Sequence, residues 1–186
     1  SALVIYRTNG DINLYTRGTA DEGLDITPLV KYLNLPSFDQ VSKHIVKTKA
    51  TKKDIHIALR GELIMTKKVF DKNWSSTMKN SRNAVAGLVN SKTINPNLAN
   101  DTSFVIYEVV DPFVPFEEQI TIAKNLGFET VKYKSSNTLD FEILSKYFKE
   151  RRDKSDYLVD GIIVTNNDQH QRNTKSNPEY SFAFKD

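Results

Sequence analysis

Residues 2–16 read ALVIYRTNGDINLYT, two runs that alternate apolar and polar side chains on either side of Asn9-Gly10. A period of two belongs to strands with one buried face. Asn-Gly between two such runs is the strongest short-range hairpin signal, because both central residues of the favoured turn need positive φ. The chain therefore opens with an antiparallel hairpin. Residues 54–65, DIHIALRGELIM, alternate in the same way, and residues 103–110, SFVIYEVV, form a β-branched and aromatic run that reads as a buried strand. ETVKYK, VDGIIVT and YSFAFK add shorter strands.

Helices are expected between these strands. Thr27-Pro28 reads as an N-cap and first helical residue of a short helix through Leu33. Thr66 caps another that carries Val69, Phe70 and Trp74. Residues 116–126 are helical in pattern, with Ile120, Ala123 and Leu126 on one face and Gly127 as the stop. Residues 139–150 form an amphipathic helix with Phe141, Leu144, Tyr147 and Phe148 inward, while residues 36–54 read as loop with irregular strand. Hairpins mixed with separate helices favour an α+β class, antiparallel sheets flanked by helices, over a doubly wound sheet.

The totals narrow the classes of function. With 186 residues, 39% hydrophobic and 26% charged, the chain is globular. It has no cysteine, which excludes disulfides and thiolate zinc sites, and its three histidines lack ligand spacing. No apolar run approaches a membrane span and no signal peptide opens the chain, so a cytoplasmic location is expected. The net charge of +3 is unevenly spread: residues 43–92 carry 12 basic against 3 acidic groups, and the remainder 14 against 20. A basic half facing an acidic half is the footprint of a polyanion partner. The lysine-rich residues 43–53 suit a nucleic-acid-facing loop, with a plain solvated loop as the alternative.

Five short stretches carry the chemistry, in this order: TRG at 16–18, RGELIM at 60–65, SRNAVAG at 81–87, VDGIIV at 159–164 and YSFAFK at 180–185. Together they resemble the adenylation (nucleotidyltransferase) domain of NAD+-dependent DNA ligases, over nearly the whole chain. SRNAVAG points to the NAD+ branch rather than to ATP-dependent ligases. The resemblance implies a ligase fold around a nucleotide cleft, AMP transfer from NAD+ to the 5′-phosphate of a DNA nick, magnesium, and nicked double-stranded DNA as partner. It also implies a monomer serving replication or repair, with a bacterial, phage or viral origin. The nucleophilic lysine of the KxDG motif is expected just upstream of Ser1. On this reading residues 1–186 are the adenylation domain without that motif or the C-terminal oligonucleotide-binding domain, and would not seal nicks alone.

Site residues follow in part from chemistry and in part from that resemblance. A carboxylate at a strand end, Glu62, can accept hydrogen bonds from both ribose hydroxyls; the alternative is an ion pair with Arg60. Asp160 opens a β-branched strand expected to be buried, where a divalent cation or the reacting lysine would compensate its charge. Gly161 would admit a nucleotide to the backbone. Ile163 would form an apolar floor under adenine, with Tyr107 stacking on the other side. Lys185 matches the family lysine at the α-phosphate, and Arg17, Arg82 and Arg152 match family arginines suited to phosphate oxygens of NAD+ or the nick. Glu62, Tyr107, Asp160 and Lys185 are expected to meet at one adenylate-sized hollow. Thr165 and Asn90 replace a family lysine and arginine, and TADEG departs from the usual motif. Thr165 and Asn90 favour one alternative, an ATP-dependent DNA or RNA ligase; the other is an inactive nucleotide-binding or DNA-binding remnant without the nucleophilic lysine.

Overall fold

The computed structural model describes residues 1–18, 22–44, 52–168 and 181–185. Its centre is a four-stranded antiparallel sheet in the order β2-β1-β3-β4, formed by β1 (Ala2–Arg7), β2 (Ile12–Thr16), β3 (Ile55–Ile64) and β4 (Ser103–Asp111). The opening hairpin pairs Val4 with Leu14, and Gly10 takes φ +100 at its turn. Asn9 Oδ1 accepts the Asp11 N–H at 3.0 Å, so the asparagine closes the turn with its own side chain.

Alternation decides which face is buried. Val4, Tyr6, Leu14, Ile57, Leu59, Phe104 and Ile106 join one core cluster with Leu29, Leu33, Val41, Ala123 and Leu126. The last five come from a 3₁₀ helix (Thr27–Tyr32) and the residue after it, from α1 (Phe38–His44) and from α5 (Phe116–Leu126), which cover that face. α2 (Lys67–Asn73), α3 (Ser81–Asn90) and α4 (Pro96–Asn100) extend the layer; Ala84, Leu88, Leu98 and Ala99 belong to the same cluster. Each of these three helices is capped by the side chain before it, Thr66, Asn80 or Asn95. α5 ends where Gly127 adopts φ +100, a left-handed C′ position that glycine fills without a Cβ penalty. α6 (Phe141–Lys154) leads to a separate antiparallel pair, β5 (Ile162–Thr165) and β6 (Ser181–Phe184).

Several local expectations are corrected. The segment after Thr27 is 3₁₀, with Ile26 at the cap position and no side-chain cap. Residues 38–44 form α1; only residues 45–51 of the lysine-rich stretch lie outside the described residues. ETVKYK is not a strand: Thr130 makes a single parallel bridge to Ile106 at the edge of β4. α6 buries Phe148 at 3% exposure, but Phe141 is 65% exposed, because it sits in the first turn and meets only the edge of the small sheet, with ring centroids 5.7 Å from Phe184. The short sheet is not buried either: Ile163 is 69% exposed.

Candidate active site

Register across the large sheet brings three of the expected site residues to one region. Ala2 pairs with both Thr16 and Gly61, so Ser1 lies one step on, between Arg17 and Glu62. Arg17 N–H donates to the Ser1 carbonyl at 3.1 Å, and Glu62 pairs with Val105. Arg17, Ser1, Glu62 and Val105 thus form one cross-strand row, and Leu3, Arg60 and Glu108 lie in the next. Partners in an antiparallel register share a face, and this face is the one opposite the helices, since Ala2, Leu59 and Leu63 point into the core cluster.

On that face the Glu62 carboxylate is 53% exposed and its Oε1 lies 3.4 Å from the Ser1 backbone nitrogen. Arg60, two residues away, shares the face but pairs across the strands, its Nη1 3.3 Å from Glu108 Oε2. Tyr107 lies beside them, half-buried. Burial pushes its phenol pKa up; a hydrogen bond involving Ser1 and the Arg60 charge pull it down, while Glu108 and Glu62 push it up. In the ladder Tyr107 falls between Ile106, which pairs with Gly61, and Glu108, which pairs with Arg60.

A second group forms at the small sheet. Arg82, in the first turn of α3, donates from Nη2 to Asp160 Oδ2 at 2.7 Å, with both side chains exposed, at 83% and 67%. The expected burial of Asp160 is therefore corrected: water and a guanidinium compensate its charge. Lys185 follows β6 directly and lies against Gly161, where a Cβ would sit 2.8 Å from Lys185 Cγ and 2.8 Å from the Phe184 carbonyl. The room made by Gly161 is filled by the lysine's own stem. Ile163 faces out beside Ala183, its register partner. Thr165, in the place of the family lysine, has its hydroxyl 3.1 Å from that of Ser181.

Arg17, Glu62 and Tyr107 thus form one group, and Arg82, Asp160, Gly161, Ile163 and Lys185 the other. The link between them is α3, which packs on β3 and carries Arg82 to Asp160. Arg152 joins neither: its guanidinium stacks 5.2 Å from the centroid of Phe148. Two open concavities, one on α6 along Phe141, Ser145 and Lys149 and one beside Trp74 and Asp101, contain none of these residues. Among the described residues no group of three His, Cys, Asp or Glu side chains could hold a metal ion.

Two supports were not anticipated. Arg60 and Glu108 flank Tyr107; the one signal for them was a glutamate interrupting SFVIYEVV. Glu129 accepts from Tyr157 OH and from Asn34 Nδ2, each at 2.8 Å, and Lys67 N–H donates to the Asp156 carbonyl at 2.9 Å. These bonds tie down the loop that delivers Asp160. Burial is the main reason the Tyr157 phenol is pushed up to about 12.

An antiparallel α+β scaffold that carries TRG, RGE, RNAVAG, DGIIV and FAFK in that order defines a class, the adenylation domains of DNA ligases. Residues 1–185 match the family model described as NAD-dependent DNA ligase adenylation domain, and the chain belongs to that family. Similar curated proteins include the DNA ligase of Acanthamoeba polyphaga mimivirus, 42% identical over 181 residues, covering 95% of this chain and 26% of the relative. The DNA ligase of Mycoplasmopsis agalactiae is 29% identical over 197 residues, covering 100% of this chain and 28% of its own length. The DNA ligase of Clostridium botulinum strain Loch Maree is 28% identical over 194 residues, covering 97% and 28%. The chain spans little more than a quarter of these relatives. They come from viruses and bacteria, and no helix among the described residues is long and apolar enough to cross a membrane.

Proposed function

We propose that this chain is the nucleotidyltransferase part of an NAD+-dependent DNA ligase that carries AMP from NAD+ to the 5′-phosphate of a DNA nick. In the first step a lysine amine forms a bond to the α-phosphorus of NAD+, the bond to nicotinamide mononucleotide breaks, and the amine loses its proton. AMP then passes to the 5′-phosphate, and a 3′-hydroxyl displaces it. Such in-line displacements need positioning and charge neutralisation from the protein.

The observation that carries this reading is the row Arg17–Ser1–Glu62 beside Tyr107, on the sheet face left free by the helices, in a chain matching the family over residues 1–185. Glu62 accepts the ribose hydroxyls, and Tyr107 and Ile163 bracket adenine in a cleft that takes in both groups. Lys185 stabilises charge on the α-phosphate, while Arg17, Arg82 and Arg152 serve phosphates of the cofactor or the nick. Magnesium supplies Lewis-acid stabilisation of phosphoryl oxygens when bound. With no three-ligand protein cage among the described residues, it would draw on phosphate oxygens and water, with Asp160 the carboxylate at hand.

The test is donor choice. Full-length protein is incubated with magnesium and labelled NAD+ or ATP, and the protein-bound label is counted. Label from NAD+ alone is expected; label from ATP alone would replace this reading with an ATP-dependent ligase, the alternative that Thr165 and Asn90 favour. Label from neither would leave a nucleotide-binding remnant.

A further inference from the structure

β3 and β4 do not run in simple register beside the candidate site. Arg60 pairs with Glu108, but the next residue, Gly61, pairs with Ile106. Tyr107 is therefore an extra residue with no partner across the ladder, a β-bulge. Bulges bend a strand and re-aim the extra side chain, and they concentrate beside active sites. Without the bulge, Tyr107 and Glu108 would point to opposite faces. With it, Glu108 reaches the face of Arg60 and its carboxylate meets the guanidinium at 3.3 Å. Gly61 lets the strands close here: a Cβ would lie 2.5 Å from the Val105 carbonyl and 2.9 Å from the Phe104 ring.

We propose that the Arg60–Glu108 pair, set across this bulge, is a positioning brace that fixes the Tyr107 ring for stacking on the adenine of the bound nucleotide. The proposal rests on the reading of Tyr107 as the adenine-stacking residue. The pair is neither fully buried nor fully solvated, at 37% and 21% exposure. It spans the two strands at the one point where the ladder leaves Tyr107 unpaired. The glutamate thus orients the arginine, and together they restrict where the ring can swing. Arg60 and Glu108 act through the ring and are positioning residues, not catalytic ones.

A double-mutant cycle on the full-length protein tests this, reading the NAD+ concentration for half-maximal lysine adenylation in single-turnover reactions. If the Arg60–Glu108 pair holds the ring, coupling of the usual size for one such cluster makes Arg60→Gln raise that concentration roughly five- to tenfold. In a Tyr107→Ala background the same change should move it by less than about twofold, because the braced ring is gone. Exchanging the partners, Arg60→Glu with Glu108→Arg, should recover most of the loss, and melting curves verify that each variant is folded. Additive effects of Arg60→Gln and Tyr107→Ala, or an unchanged half-saturation in Arg60→Gln, would overturn the brace while leaving the Tyr107 assignment intact. If Tyr107→Ala itself adenylates with unchanged half-saturation, the Tyr107 assignment fails and the brace falls with it.

Discussion

Replacing one glycine by alanine should have opposite effects at two positions of this fold. At Gly61 an added Cβ would lie 2.5 Å from the Val105 carbonyl oxygen and 2.9 and 3.0 Å from two atoms of the Phe104 ring. The carbonyl is backbone in the neighbouring strand, and Phe104 is 1% exposed, so neither can step aside without moving the core. Overpacking of this kind costs about 1–3 kcal/mol. For a chain of this size that lowers Tm by about 2–12 °C. At Gly87, in the middle of α3, a Cβ would meet nothing within 4 Å. There alanine restricts the unfolded chain and favours helix, a gain of about 0.5–1 kcal/mol and about 1–4 °C. Thermal unfolding followed by far-ultraviolet circular dichroism compares the two variants with the parent. A Gly61→Ala protein that melts at or above the parent, or a Gly87→Ala protein that melts below it, would refute the packing given for β3 and α3.

Three further outcomes follow from the same structure. Tyr6 is fully buried and its hydroxyl donates to the Pro36 carbonyl at 2.7 Å; Tyr6→Phe leaves that carbonyl without its donor and should cost about 1–3 kcal/mol in denaturant titrations. Burial also raises the Tyr6 pKa above its ordinary value of 10.0, so its neutral form is favoured in the fold. The unfolded chain ionises first as pH rises past that value, and stability then falls with pH; Tyr6→Phe should flatten this alkaline decline, measured as the slope of unfolding free energy against pH. Asp160→Asn breaks an ion pair exposed on both sides and should change stability by less than about 1 kcal/mol, yet reduce adenylation of the full-length protein; a large loss of stability would show that the pair is structural.

The large sheet was legible because its signals are local. Asn9-Gly10 fixed the first hairpin, the alternation through residues 54–65 fixed β3, and Gly127 fixed the end of α5. What sequence could not supply is where the core stops. Phe141 fits an inward helical pattern and VDGIIV the composition of a buried strand, yet both stand at the margin, where little remains to cover them. ETVKYK has strand composition, but only one bridge holds it to the edge of β4, and α1 is a seven-residue helix too short to impose a period. For the site, motif order named the residues without their geometry. That Arg82 reaches Asp160 depends on where α3 lies on β3, and the bulge at Tyr107 depends on register. Neither is written in any single motif.

The most direct measurement is an AMP titration of the isotope-labelled chain followed by backbone amide NMR. If one nucleotide bridges the two groups, the amides of Glu62, Tyr107, Ile163 and Lys185 shift together and yield a single Kd. Shifts confined to one group, or centred on the concavities at α6 or Trp74, would mean that these side chains do not share a nucleotide.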